Sequence, residues 1–464
     1  MRFPILAEIS DRRSPLLNWV LLLTIVCWLP YFANTVWPIH DTSYVTECFY
    51  CFYSEMFCTG ELARWFPYGN YGMPADLYQM ALHPTQYAAA SMGLLLGVDD
   101  TLVLAKIAML LNELLFAFGL WQLSRELYVL PLTWFLVSAG GMLSVSWFEQ
   151  SMFNLFVFYL LPLVMCLLMK FFKTGNPTCL YLAGITEVCS LLGNVAYIAP
   201  LHFWVLTIFA LALAWQYPRS LRNLFTWQNV ANPWLWALLF VTAVVGVFFK
   251  GAVENLVMLA PGRDAATGSV ALDTFLNYGR GPMCAAIFGL ITGGIPHGPN
   301  TYYVGLLPLA MFVYALATER QKPFIGIAAA CVALTSLSLG GQFAKLFYVL
   351  PGMSLYRHIT LTFGIIGMLL LLGAGFGIER LTQRLMGRET PAAPRRLPRW
   401  SGLMAMSLLI LADFWFARRP GDFNLHVCSR TGSRTLRFAY SSIVQSFPSP
   451  TDFAAARRAA CRHS

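Results

Sequence analysis

Asp41 is the first residue in the chain whose type and position could do chemistry. It closes the sequence Ile39-His40-Asp41, directly after the apolar run Pro15–Pro38. A carboxylate at the end of a buried helix is held at one depth, which suits a base acting on a substrate at the same interface. The plainer account is a carboxylate that ends the helix, capping it or facing water. Glu149, in Trp147-Phe148-Glu149-Gln150, is a second acid between two apolar runs, and an ordinary interfacial charge is its competing account. Cations suited to an anionic leaving group come later in the chain: Arg357 with His358, then Lys345, Arg280 and Arg263. Arginine gives two-point contact with phosphate, although isolated arginines near a membrane also bind lipid headgroups without catalysis.

A second set of charges lies inside apolar runs. Lys106 and Glu113 are seven residues apart, hence on one face of a helix. Glu187 is a possible third member of the set. Charges in such places are costly and point either to a proton or substrate path or to a buried ion pair that fixes helix register. Asp413, also in an apolar run, has no evident role.

The elements that must position these residues follow from composition. Of 464 residues, 58% are hydrophobic and 11% charged, where a soluble domain carries about a quarter of its residues as Asp, Glu, Lys and Arg. A chain this size cannot cover itself with so few charges. That excludes a cytosolic enzyme, a nucleic-acid-binding protein and a disordered scaffold. The expectation is an all-α polytopic membrane protein with about eleven transmembrane helices. The runs are Pro15–Pro38, Thr101–Leu123, Leu130–Trp147, Met152–Phe172, Leu180–Ile198, Leu201–Tyr217, Pro233–Phe249, Tyr303–Thr318, Pro323–Leu339, Thr360–Ile378 and Ser401–Ala417. Pro84–Val98 and Met283–Ile295 are shorter and fit interfacial or re-entrant helices, either walling a groove for a lipid chain or simply packing. Residues 1–417 are expected to form one transmembrane domain, with a basic tail over 418–464.

The net charge of +9 is distributed between the runs rather than in one patch. With the N-terminus inside, Arg12, Arg13, Arg125, Lys170, Lys173, Arg219, Arg222, Arg320, Lys322, Arg380 and Arg384 fall in inner loops. The outer loops, 39–100, 250–302 and 340–359, carry far fewer cations, as the positive-inside rule requires. Cys48, Cys51 and Cys58 cluster in the first outer loop. No second Cys or His pair accompanies them, so one disulfide plus a free thiol is expected in preference to a metal site.

Several segments taken together resemble a known family. They are Asp41, the run Gly60-Glu61 … Trp65 … Pro67 … Gly72 … Pro74, Tyr303-Val304-Gly305-Leu306-Leu307-Pro308-Leu309, and Leu350-Pro351-Gly352-Met353-Ser354-Leu355-Tyr356-Arg357. In order and spacing they are similar to YfhO-like bacterial membrane proteins, which in turn resemble the GT-C class of membrane glycosyltransferases. That resemblance implies a GT-C-like architecture in a bacterial inner membrane and a polyprenyl-phosphate-linked sugar as donor. The acceptor would be an envelope glycan, lipid or protein on the outer face. It also implies Asp41 as catalytic base and Glu149 as the position of a second acid. No acidic pair accompanies Asp41, so no metal site is assigned, although a divalent metal is compatible with the class. Arg357, His358, Lys345 and Arg280 would bind the donor phosphate. Trp65, Tyr68 and Tyr71 could stack on sugar rings, or belong to an interfacial aromatic belt. The competing function is a transporter or flippase of lipid-linked saccharides, working through Lys106, Glu113 and Glu187.

Overall fold

The computed structural model describes residues 15–33, 65–66, 73–74, 83–98, 100–143, 159–192, 195–225, 229–259, 264, 269–277, 304–338, 340–356 and 359–386. Thirteen α-helices lie among them: α1 (Pro15–Ala33), α2 (Pro84–Leu96), α3 (Thr101–Leu127), α4 (Pro131–Met142), α5 (Leu161–Thr174), α6 (Pro177–Leu191), α7 (Val195–Gln216), α8 (Pro233–Leu259), α9 (Leu272–Asn277), α10 (Leu306–Thr318), α11 (Lys322–Ser338), α12 (Gly341–Tyr348) and α13 (Phe363–Leu385). The described β structure is a two-residue antiparallel pair, Trp65–Phe66 with Met73–Pro74. Three helical stretches are long and apolar enough to cross a membrane: Leu102–Leu127, Ala199–Gln216 and Gly364–Leu385. Shorter apolar stretches include Leu16–Leu29, Pro233–Val247, Leu306–Thr318 and Lys322–Ser338.

Local chemistry sets the boundaries. The Asp100 carboxylate accepts from the backbone N–H groups of Leu102 and Val103, starting α3 where the first turn has no internal partners. Gly175, at φ 69°, closes α5 in the left-handed region. Asn176 then caps α6 through Thr178 N–H at 3.0 Å, which makes α5 and α6 a tight antiparallel hairpin. A side chain at Gly175 would also collide with Asn223, whose amide donates to the Gly175 carbonyl at 3.2 Å.

Several expected boundaries are corrected. The run Leu180–Ile198 is not one span: α6 ends at Leu191, Leu192 is extended, and α7 begins at Val195. Gly193-Asn194, the residue types that stop helices, separate the two. α7 then passes through Pro200, where the sequence suggested a boundary; a long packed helix tolerates the one lost backbone bond. Of the run expected from Met152, residues 152–158 lie outside the described residues; a turn at Tyr159–Leu160 leads into α5 at Leu161. α8 continues to Leu259, so Lys250 lies on a helix rather than at the start of a loop. α13 likewise carries Arg380 and Arg384 in its last turns. Met283–Ile295 and Ser401–Ala417 lie outside the described residues.

α13 is the centre of the core. It packs against α10, α11 and α4, while α3 packs against α1, α2, α4 and α5. Glycines allow the closest approaches. A Cβ at Gly377 would strike the Met311 carbonyl of α10, and one at Gly375 the Tyr128 ring. The Tyr128 hydroxyl donates to the Leu372 carbonyl, tying the end of α3 to α13.

The expected inner cations collect at one end of this bundle. Lys173 pairs with Glu126 at 3.0 Å, joining the ends of α5 and α3. Arg380 approaches Glu319 at 3.9 Å, joining α13 to the end of α10. Lys322 sits over the Trp215 ring, joining α11 to the end of α7. Glu379 holds the start of α4 by accepting from Val129 N–H, Leu130 N–H and the Thr133 hydroxyl.

Candidate functional site

At the end of the bundle away from those cations, two of the segments expected outside fold together. Val270 N–H donates to the Ser354 carbonyl at 2.8 Å, and the Tyr348 hydroxyl donates to the Val270 carbonyl at 2.7 Å. Phe275 and Tyr348 meet edge to face, bringing α9 onto α12. The turn after α12 rests on α7: Trp204 Nε1 donates to the Pro351 carbonyl, and Gly352, at φ 80°, faces Pro200. These contacts hold a short-helix cap whose backbone polar groups are partly satisfied by each other. Lys345 is an exposed residue of this cap. Tyr356, the residue before Arg357, is fully buried.

Of the site residues expected from sequence, Asp41, Glu149, Arg263, Arg280, Arg357, His358, Tyr68 and Tyr71 lie outside the described residues. So do Cys48, Cys51 and Cys58. Trp65 is placed only as backbone, in the strand pair with Pro74. Among the described residues, no group of three or more His, Cys, Asp or Glu side chains gathers as metal ligands do.

The charges inside helices are better defined. Lys106 and Glu113 are both buried on α3, at 5% and 2% exposure. Glu187 does not join them. It pairs with His202 Nδ1 across α6 and α7 at 2.8 Å, beneath the cap turn at Pro351–Gly352. The imidazole is fully buried, and its Nδ1 faces the Glu187 carboxylate, which ties α6 to α7. The expected triad is therefore corrected: an α3 stripe and a separate Glu187–His202 pair take its place.

A further polar cluster lies between α2, α3 and the start of α5. Thr85 donates to Asn112 Oδ1 at 2.7 Å and lies 3.0 Å from His83 Nδ1. The His83 and Tyr159 rings sit 5.2 Å apart, centroid to centroid. His83, Thr85, Asn112 and Tyr159 are all at least nine-tenths buried. Sequence reasoning used His83-Pro84-Thr85 only as a helix start and passed over Asn112, Tyr159 and His202. The available signal was polarity inside apolar runs: Asn112 beside Glu113, and His202 between Leu201 and Phe203.

The chain matches no protein-family model, and no curated protein is detectably similar to it. The described residues belong to an all-helical bundle, one two-residue strand pair aside, that contains three helices able by length and composition to cross a membrane.

Proposed function

We propose that this chain is a membrane glycosyltransferase that moves a sugar from a polyprenyl-phosphate donor to an envelope acceptor on the outer face of a bacterial inner membrane. The observation that carries the proposal is the cap. Segments 269–277 and 340–356 are far apart in sequence, yet they fold together at the end of the bundle away from its basic helix ends. The second of them contains Leu350–Tyr356, all but the last residue of the Leu350–Arg357 segment that carries part of the GT-C resemblance. In this scheme Asp41 accepts the proton of the acceptor hydroxyl as its oxygen attacks the anomeric carbon. The bond from that carbon to the lipid phosphate breaks, and the phosphate leaves with its charge stabilised by Arg357, His358, Lys345 and Arg280. A single displacement inverts the anomeric centre. Glu149 is the second acidic position, and Trp65, Tyr68 and Tyr71 stack on the sugars. The scheme requires no cofactor; a divalent metal would only share the phosphate charge.

The test is mass spectrometry of envelope glycans and lipid-linked sugars in a deletion strain complemented with wild type, Asp41→Asn or Glu113→Gln, with membrane expression checked for each. Loss of one sugar with build-up of its polyprenyl-phosphate donor, restored by every form except Asp41→Asn, supports the transferase. A second reading, a carrier or flippase of lipid-linked saccharides, is favoured by the burial of Lys106 and Glu113 within a helix able to cross a membrane. Restoration by Asp41→Asn but not by Glu113→Gln would replace the transferase with that carrier.

A further inference from the structure

The cations at the basic end of the bundle fall into two groups. Most are engaged by the protein itself. Arg320 Nη1 donates to the Glu319 carbonyl at 3.3 Å, Arg380 approaches Glu319, and Lys173 holds Glu126. Arg384 donates to the Tyr314 hydroxyl, and Arg125 lies 5.9 Å from the centroid of the Trp134 ring. Arg219 and Arg222 are different. Both are exposed, and among the described residues neither guanidinium has a carboxylate within ion-pair distance.

Hydrogen bonds fix the frame that carries this pair. The turn 217–225 follows α7 and folds back on the end of α5. The buried Ser220 hydroxyl donates to the Tyr217 carbonyl at 2.6 Å. Asn223 Nδ2 donates to the Gly175 carbonyl, and Asn229 Nδ2 donates to the Asn223 and Leu224 carbonyls at 2.7 and 2.9 Å. Arg222 N–H donates to the Arg219 carbonyl at 3.2 Å, a three-residue step that sets the side chains at its two ends one above the other. The two guanidiniums therefore leave one fixed turn on the same side. The end of α5 against which the turn packs adds Lys170, half-buried. From residue 160 to residue 235 the chain carries Lys170, Lys173, Arg219 and Arg222 against a single acid, Glu187. That acid is with His202 beneath the cap turn.

The helix leading into the turn has an apolar outer face. Of the three stretches able to cross a membrane, the one in α7 is the least buried, at 33% against 56% in α3 and 78% in α13. Its last turns expose Leu211 and Trp215, each at 65% and one helical turn apart. Leu221, between the two arginines, is exposed as well. Exposed apolar side chains beside arginines that lack an acidic partner match the boundary where acyl chains give way to headgroups.

We propose that the turn 217–225, with the α5 end beneath it, is a docking surface for an anionic phospholipid. Its phosphodiester lies on Arg219 and Arg222, and its acyl chains lie along α7 at Leu211 and Trp215. Arginine suits the role because its planar fork gives two-point contact with phosphate oxygens. Two guanidiniums with Lys170 nearby favour a headgroup of net negative charge over a zwitterionic one, whose own ammonium they repel. The surface is independent of the transferase scheme, since its test reads lipid binding and not sugar transfer.

The experiment is native mass spectrometry of the purified full-length protein in non-ionic detergent, titrated with phosphatidylglycerol or with phosphatidylcholine of the same chains. The wild type should bind phosphatidylglycerol the more tightly. A cation at an anionic lipid surface contributes about fivefold in affinity, so Arg219→Gln together with Arg222→Gln should weaken phosphatidylglycerol binding by roughly twentyfold and leave phosphatidylcholine binding unchanged. Arg320→Gln removes a guanidinium already bonded to the backbone, and should leave both affinities unchanged. Unfolding midpoints establish that each variant is folded. On unaltered protein, hydrogen exchange over 217–225 should be slower in bilayer discs of equal phosphatidylglycerol and phosphatidylcholine than in discs of phosphatidylcholine alone. No preference for phosphatidylglycerol in the wild type overturns the proposal. So does an undiminished affinity in the double variant, an equal loss in Arg320→Gln, or unchanged exchange in the mixed discs. Displacement of the lipid by soluble glycerol phosphate overturns it as well, by showing a site for free phosphate.

Discussion

Helices α4 and α2 begin alike and are completed differently. α4 opens at Leu130-Pro131 and α2 at His83-Pro84, each with a proline in its first turn and no capping side chain on its N-cap residue. At α4 another helix supplies the missing anion. Glu379 of α13 accepts from Val129 N–H at 3.1 Å and from the Thr133 hydroxyl at 2.7 Å. At α2 the first-turn Thr85 hydroxyl donates to Asn112 Oδ1 on α3 and lies beside His83 Nδ1. α6, a third proline-started helix, caps itself with Asn176. The comparison teaches that a proline-started helix here is completed by a distant carboxylate, as at α4, or by a local cap, as at α6, whereas the start of α2 spends its first-turn hydroxyl as a donor to α3; α10, α12 and α13 likewise begin without a side-chain cap.

The comparison can be broken most severely at the packing that brings Glu379 to α4. Gly377→Ala puts a methyl group into the Met311 carbonyl. It should cost about 3 kcal/mol or more, read as a large drop in unfolding midpoint and lowered yield in detergent. Glu379→Ala removes the shared acceptor and leaves backbone N–H groups of the α4 start unsatisfied. About 2–3 kcal/mol is expected, with Glu379→Gln recovering part of it through its remaining carbonyl oxygen. At the other helix start the same kind of deletion should be milder. Asn112→Leu should cost about 1–2 kcal/mol, because it removes the acceptor of the buried Thr85 hydroxyl, which keeps His83 Nδ1 within reach, while the lost Nδ2 meets no acceptor among the described residues. An Asn112→Leu loss as large as that of Glu379→Ala would show that the two starts are structurally equivalent. Smallest of all, Lys173→Met should cost under about 1 kcal/mol and less still at high salt, since its pair with Glu126 is partly exposed.

Sequence periodicity and composition located most of the helices because burial in apolar surroundings leaves a long, unmistakable pattern. Thr101–Leu123, Tyr303–Thr318 and Pro323–Leu339 were legible in this way to within a few residues. Boundaries were less so. α7 runs through Pro200 because tertiary packing outweighs one lost backbone bond, while Leu180–Ile198 breaks at an extended Leu192 that hydropathy does not register. The gathering of cations at one bundle end followed from their positions between runs. Most of the candidate catalytic residues, Asp41 foremost, lie outside the described residues and stand on sequence alone.

The sequence by itself determined that the chain is apolar and helical, that its cations alternate with its long runs, and where its buried charges fall. Those properties belong to single segments and their order. Only the tertiary structure decided which charges meet: Glu187 finds His202 on the next helix, away from the stripe of Lys106 and Glu113. It also decided that α2 and α5, separated in sequence by all of α3 and α4, both begin beside the middle of α3, near Asn112 and Gly119 respectively. A helix's start is written in its own residues, but where two such starts lie along a third helix depends on how the three pack, and no local pattern encodes that.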